Sequence, residues 1–272
     1  MNGVSLLAQQ GGIPADRIDT SRPHPARMYD YYLGGHDNYE VDREAAEQVL
    51  AVAPVVRRAA LANRAFLHRA VRHAATMGVR QFIDIGTGVP TSPNTHEVAS
   101  AVHPDARVVY VDNDPIVGAY ANALLRGSGS TVFALADVRK PHDILRDEGV
   151  RRLIDFTEPV CLMLVAVLHF VEDAEDPAGI VATLGEALPS GSLLILSHSA
   201  VESTADTRRV TGVYKNASAT LTPRTAEQIS AMFSGFEMLE PGLVQVSTWR
   251  PDEPVEPDDL EIGLSGGIGR KP

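Results

Sequence analysis

Three acidic residues stand at or beside the ends of short apolar runs: Asp84 in Phe82-Ile83-Asp84-Ile85-Gly86-Thr87-Gly88, Asp112 closing Val108-Val109-Tyr110-Val111-Asp112, and Asp137 in Ala136-Asp137-Val138-Arg139. Carboxylates accept hydrogen bonds, and glycines let backbone approach a ligand closely, so this set suits a hydroxyl-bearing small molecule. Asp112 follows Gly88 by 24 residues, where an acid at the end of a second strand can accept from both hydroxyls of a ribose. Asp137 follows 25 residues later and could accept from an adenine amino group, with the backbone of Val138 meeting the ring edge. Any one of these aspartates serves equally well as a helix cap or turn residue. Their regular recurrence is what points to an adenosine site. A nicotinamide fingerprint asks for a third glycine in G-x-G-x-x-G, and Thr91 stands there instead.

Histidines follow two further apolar runs. His169 comes after Met163-Leu164-Val165-Ala166, where a group facing a reacting partner would stand, and His198 lies in Ser197-His198-Ser199. A lone histidine in such a place is more often structural. The fourth run carries no Asn-Pro-Pro-Tyr, the pattern used on amino groups of nucleic-acid bases. No metal-ligand spacing is present, and Cys161, the single cysteine, cannot form an internal disulfide.

The elements that must carry these residues follow from periodicity. Strands are predicted over 81–85, 107–111, 131–136, 160–165 and 192–197, with helices over 94–102, 115–125, 141–148 and 176–188, an alternation that signals a parallel sheet with crossover helices. Two last strands, 236–239 and 243–249, joined by Glu240-Pro241-Gly242, suit an antiparallel hairpin, and helices are expected over 202–217 and 223–233. Ahead of the sheet, Pro25 to Leu33 reads as a helix stopped by Gly34-Gly35, followed by helices from Asp42 to Val52 and from Val55 to Met77. Val56, Ala59, Ala60, Phe66, Leu67, Ala70, Val71 and Ala74 form one apolar stripe on the last of these. Asn63 falls within that stripe and must pair with neighbouring backbone or a ligand, while Arg64 sits at its edge, placed to reach a cleft.

The expected class is therefore α/β: a Rossmann-like, mostly parallel seven-stranded sheet with helices on both faces, a C-terminal antiparallel hairpin and an N-terminal helical extension. The chain divides into a flexible lead-in over 1–22, a helical lid over 23–78, a ligand-binding domain over 79–250 and an acidic, glycine-rich tail over 251–272, expected to be ordered only in part. The net charge of −11 is unfavourable for gripping a nucleic-acid backbone. Arg57, Arg58, Arg64, Arg69 and Arg72 share one predicted helix, whose plainer reading is a solvated face. There is no apolar run of about 20 residues for a membrane span and no signal-peptide pattern, so the cytoplasm is the expected location.

Longer motifs carry a resemblance. Arg27-Met28-Tyr29-Asp30-Tyr31-Tyr32-Leu33-Gly34-Gly35-His36-Asp37-Asn38, Asn63-Arg64-Ala65-Phe66-Leu67, Asp84 through Thr91, Val109 through Asp114, Leu168-His169-Phe170 and Pro241-Gly242-Leu243-Val244 together resemble an actinobacterial family of class I S-adenosylmethionine methyltransferases, over about residues 22–250. The resemblance implies the cofactor S-adenosyl-L-methionine, held by Asp84, Gly86, Thr87, Gly88, Asp112, Asn113, Asp137 and Val138. It also implies a lid in which Tyr29, Tyr32 or His36 faces the transferred methyl group, and Arg64 suits the cofactor's methionine carboxylate. Family members commonly carry Lys where this chain has His36, so no fixed positive charge is implied there. The expected reaction is in-line methyl transfer to an unidentified small-molecule acceptor, with His169, His36 and Tyr32 as candidate proton acceptors. Two rival readings are a non-catalytic S-adenosylmethionine-binding or regulatory protein and an NAD(P)-dependent oxidoreductase.

Overall fold

A computed structural model of the protein describes residues 19–124, 129–200 and 205–272. Most of the predicted lead-in, residue 125 at one predicted helix end and residues 202–204 at another helix start lie outside the described residues.

Strand β1 (Gln81–Ile85) is buried along its whole length, as an apolar run in the middle of a parallel sheet must be. It pairs in parallel with β2 (Arg107–Asp112) on one side and β4 (Cys161–Val165) on the other. Outside these lie β3 (Thr131–Leu135) and β5 (Leu193–Ser199), also parallel. The chain thus builds outward from β1 to β3 and then returns to the opposite side at β4. That reversal opens a crevice beyond the carboxyl ends of β1 and β4.

Period-two alternation sends each strand's side chains to two cores. Ile83, Val109, Leu162 and Leu194 face one layer, closed by α6 (Pro141–Arg146), α7 (Glu148–Leu153), α8 (Pro177–Glu186) and α10 (Ala226–Ala231). Phe82, Val108, Cys161 and Ile195 face the other, where Phe66, Leu67, Ala70 and Val71 of α3 (Val55–Thr76) pack. On the β2 side stand α4 (Thr95–Ser100) and α5 (Pro115–Leu124). Helix α3, read from sequence as part of a lid, thus supplies one face of the sheet. A third core joins α1 (Pro25–Tyr32), α2 (Glu40–Val52), the first half of α3 and α9 (Ala205–Tyr214) through Met28, Tyr32, Ala46, Val49, Ala60 and Tyr214.

The C-terminal part differs from expectation. The sheet has eight strands rather than seven, in the order β3-β2-β1-β4-β5-β8-β6, with β7 also paired to β8. Strands β6 (Glu237–Met238) and β7 (Val244–Gln245) do not form a hairpin with each other; both run antiparallel to β8 (Leu264–Arg270), as one edge interrupted at Glu240-Pro241-Gly242. Strand β8 lies in the segment read as a partly ordered tail, yet it pairs with β5 from Leu193↔Arg270 to Ser199↔Leu264.

Glycines usually weaken strands, which is why Leu264-Ser265-Gly266-Gly267-Ile268-Gly269-Arg270 does not read as one. Here they are needed for contact. A Cβ on Gly266 would lie 2.9 Å from Val246 Cγ1 and 3.0 Å from the Phe66 ring, and one on Gly269 would lie 2.7 Å from Phe236 Cβ. The acidic stretch before β8 is also anchored. Asp252 pairs with Arg72 at 2.5 Å and Asp259 with Arg58 at 2.7 Å, both arginines on α3. Among the described residues no helix is long and apolar enough to cross a membrane.

Candidate functional site

A cleft of about 450 Å³ opens at the carboxyl ends of β1 to β5, roofed by α1, the middle of α3 and α9. Asp84, Gly86, Thr87, Gly88, Asp112, Asn113, Asp137, Val138, Arg64, Tyr29, Tyr32 and His169 all line it. The topology brings together residues that the sequence scatters.

The turn after β1 depends on glycine. Gly86 has φ +69°, its N–H donates to Val111 O at 2.7 Å, and a Cβ there would lie 2.1 Å from Val167 Cγ2. Asp84 is buried beneath the turn and accepts from Thr95 Oγ1 at 2.6 Å; burial raises its pKa, partly offset by the Thr95 hydroxyl and the Arg64 charge. Asp112 accepts from Gly88 N and Asp114 N, each at 2.9 Å, so each oxygen keeps further lone-pair capacity. Burial pushes this carboxyl up to about 6 against the pull of those N–H donors.

Asp137 differs from the other two. Burial would raise its pKa, but Arg139 wins and holds it below the usual value, with Nη2 at 2.6 Å and Nε at 2.9 Å. Arg139 reaches on to Glu175 at 3.3 Å. An adenine amino group would share this carboxylate with a guanidinium.

Asn63 is held by two side chains rather than by the neighbouring backbone, which was one of the two options read from sequence, the other being a ligand. Its Nδ2 donates to Tyr29 Oη at 3.0 Å and its Oδ1 accepts from Ser197 Oγ at 2.7 Å, so it bridges α1 to β5. Tyr29 in turn donates to Ala60 O at 3.0 Å. Arg64 Nη2 donates to Pro93 O at 2.8 Å and also to Thr91 O, while its Nε is buried with no partner.

The three proton-acceptor candidates fare unequally. His36 is exposed and outside the cleft lining. Asp30 explains why: its carboxylate accepts from Asp37 N at 2.9 Å and Asn38 Nδ2 at 2.7 Å, folding the turn around itself and away from the cleft. Tyr32 does line the cleft, with its hydroxyl 3.3 Å from that of Tyr214, and burial raises its pKa far above an ordinary phenol. It stays un-ionised at neutral pH. His169 is buried, and burial together with His198 and Arg224 holds its pKa well below the usual imidazole range.

Arg224 has no counterpart in the sequence reading, which placed it anonymously in a helix. It is 2% exposed and donates to His198 Nε2, Leu168 O, Val171 O and Asp173 Oδ1. The arginines of α3 are likewise committed. Arg69 donates to Val246 O at 2.7 Å and Trp249 O at 2.9 Å, Arg57 lies over the Tyr31 ring, and Arg58 and Arg72 hold the acidic segment. Among the described residues no group of three His, Cys, Asp or Glu is placed to hold a metal.

Comparison with known proteins agrees with this arrangement. The chain shares 42% identity with a candidate methyltransferase of Thermobifida fusca YX, with a TM-score of 0.89 over 95% of this chain and 98% of that one. It is also 42% identical to a DUF574-family protein of Streptomyces avermitilis, with a TM-score of 0.88 over 93% of this chain and 99% of that one. No curated protein matches the sequence. The S-adenosyl methyltransferase profile matches residues 12–272, so the chain belongs to that family, a methyltransferase family whose cofactor is S-adenosylmethionine.

Proposed function

We propose that this protein transfers the methyl group of S-adenosylmethionine to a small-molecule acceptor. The observation that carries the reading is the convergence of Asp84, the Gly86–Gly88 turn and Asp112 on one cleft. The residues fit the cofactor. Gly86 leaves a cradle that a Cβ would fill, Asp112 has acceptor capacity to spare, and Arg64 Nε is a buried donor without a partner.

Asp84 and Arg64 would hold the amino and carboxylate groups of the amino-acid end, and Asp112 the ribose hydroxyls, with Asn113 beside it. Val138 and Asp137 would meet the adenine. When bound, the cofactor supplies a methyl group activated by its sulfonium. The protein's own part would be to orient the acceptor for in-line attack and limit water, for which Tyr29, Tyr32 and Phe170 are placed in the cleft lining. No proton relay is obligatory for such a displacement.

A small molecule suits the cleft better than a polyanion, because Arg58, Arg69 and Arg72 are engaged by the protein itself. Calorimetry tests the reading. S-adenosylhomocysteine should bind the full-length protein with 1:1 stoichiometry and NAD should not; binding of NAD alone would overturn it.

A further inference from the structure

We infer that the half of the cleft over β4 and β5 takes a small, largely apolar molecule that presents a hydrogen-bond-accepting oxygen to Nε2–H of His169. The inference rests on the methyltransferase reading and names the acceptor class.

A chain of hydrogen bonds sets the tautomer. Arg224 can only donate, so Nε2 of His198, 3.0 Å from its Nη1, carries no proton. Nδ1 of His198 therefore bears the hydrogen and donates to Ser199 O at 2.8 Å. The N–H of the same Ser199 lies 3.1 Å from Nδ1 of His169 and can only donate to it. Nδ1 of His169 is thus an acceptor, and the neutral ring carries its hydrogen on Nε2. Since His169 lines the cleft, Nε2 is the polar atom it can offer there.

The surroundings keep the ring neutral. Burial disfavours a positive charge on it most, and the His198 ring at 5.4 Å between centroids and the Arg224 cation behind His198 add to this. Asp173, the carboxylate that balances Arg224, is bound to that guanidinium at 2.7 Å. His169 therefore donates and does not take a proton from the acceptor.

Around it, Tyr32, Val56, Phe170, Val210, Tyr214 and Leu221 make an uncharged, partly aromatic wall. A cationic amine would meet a hydrogen-bond donor backed by an arginine. A carbonyl or phenol-type oxygen meets its complement.

The test uses full-length protein labelled with 15N in histidine. Long-range 1H–15N spectra between pH 6 and 8.5, with His169→Gln assigning the signal, should show His169 as a neutral Nε2–H ring that does not titrate. An Nδ1–H ring, or titration within that range, would overturn the assignment. On protein saturated with S-adenosylhomocysteine, 1-naphthol should shift the His169 signals, and His169→Phe should weaken its binding roughly fivefold, the loss of one hydrogen bond. His169→Gln, which keeps an N–H donor, should recover part of that loss. Equal or tighter binding of 1-naphthylmethylammonium, or no binding of 1-naphthol up to its solubility, would overturn the acceptor class. S-adenosylhomocysteine should bind wild-type and His169→Phe protein alike. If wild-type protein fails to bind it, the methyltransferase reading falls, while the spectra still decide the state of His169.

Discussion

Nη1 of Arg224 lies 3.0 Å from Nε2 of His198, and the same nitrogen lies 2.9 Å from Leu168 O, the residue before His169. One buried guanidinium thereby ties the loop after β4 to the end of β5. Replacing Arg224 with Met should cost about 2 to 4 kcal/mol, because the carbonyls of Leu168 and Val171 lose a buried donor. Asp173→Asn should cost under about 1 kcal/mol, since that carboxylate is 71% exposed. Urea denaturation of both variants checks the contrast, and similar costs would contradict it.

Asp112 gives cofactor binding a pH dependence with a definite sign. Ribose hydroxyls donate to the ionised carboxylate, so S-adenosylhomocysteine affinity should fall as pH drops through about 6. Stability of the free protein runs the other way. The folded pKa lies above the ordinary aspartate value of 3.8, so the stabilising contribution of this group is complete below about pH 4 and is lost as pH rises through about 6. Calorimetry at pH 5, 6 and 7.5 should show the trend in binding. Asp112→Ala should flatten it and weaken binding by about 1 to 3 kcal/mol.

Gly86→Ala should be among the most damaging single-methyl additions, costing about 2 kcal/mol or more from a left-handed backbone and a 2.1 Å clash with Val167. Combining it with Val167→Ala relieves the clash but not the strain. Thermal unfolding of the double variant should therefore recover only part of the loss, and full recovery would place the whole effect in packing.

The Tyr29–Asn63–Ser197 bridge predicts non-additivity. Tyr29→Phe and Asn63→Ala should each destabilise by about 1 to 3 kcal/mol, and the double variant by less than their sum, by roughly 1 kcal/mol. Additive effects in a double-mutant cycle would show that the 3.0 Å contact carries no coupling.

The ionic clasp on α3 should divide by burial. Arg72→Ala and Arg58→Ala, whose own side chains are 50% and 39% exposed, should each change stability little. Arg69→Met leaves Val246 O and Trp249 O without their donor and should cost about 2 kcal/mol. Denaturant midpoints of the three variants measure the split.

Much of this was legible from residue order. The runs ending near Asp84 and Asp112 are apolar enough to be strands buried on both faces, and the glycines between them predict the turn that forms. Periodicity located α1, α2 and α3 within a few residues. What it could not supply was partnership across the fold. Asn63 reads as a polar flaw in an apolar stripe until Tyr29 and Ser197 are brought beside it. Arg224 has no local pattern, because its partners Leu168, Val171, Asp173 and His198 all belong to other elements. His36 failed for the opposite reason: it adjoins Tyr32 in sequence, but Asp30 turns the chain away from the cleft. The glycines of β8 imitate a linker because the contacts that require them, Phe66, Val246 and Phe236, lie elsewhere in the chain.

The placement of that glycine-rich strand bears on how the protein can be shortened. Composition marks residues 251–272 as the obvious segment to trim. Removing them would strip the neighbour from β5 and leave β6 and β7 without a sheet, exposing a long unpaired row of backbone N–H and C=O groups on β5. Such an edge is a template for strand addition from another copy. The trimmed protein would be prone to aggregate, whatever stability its remaining core retained.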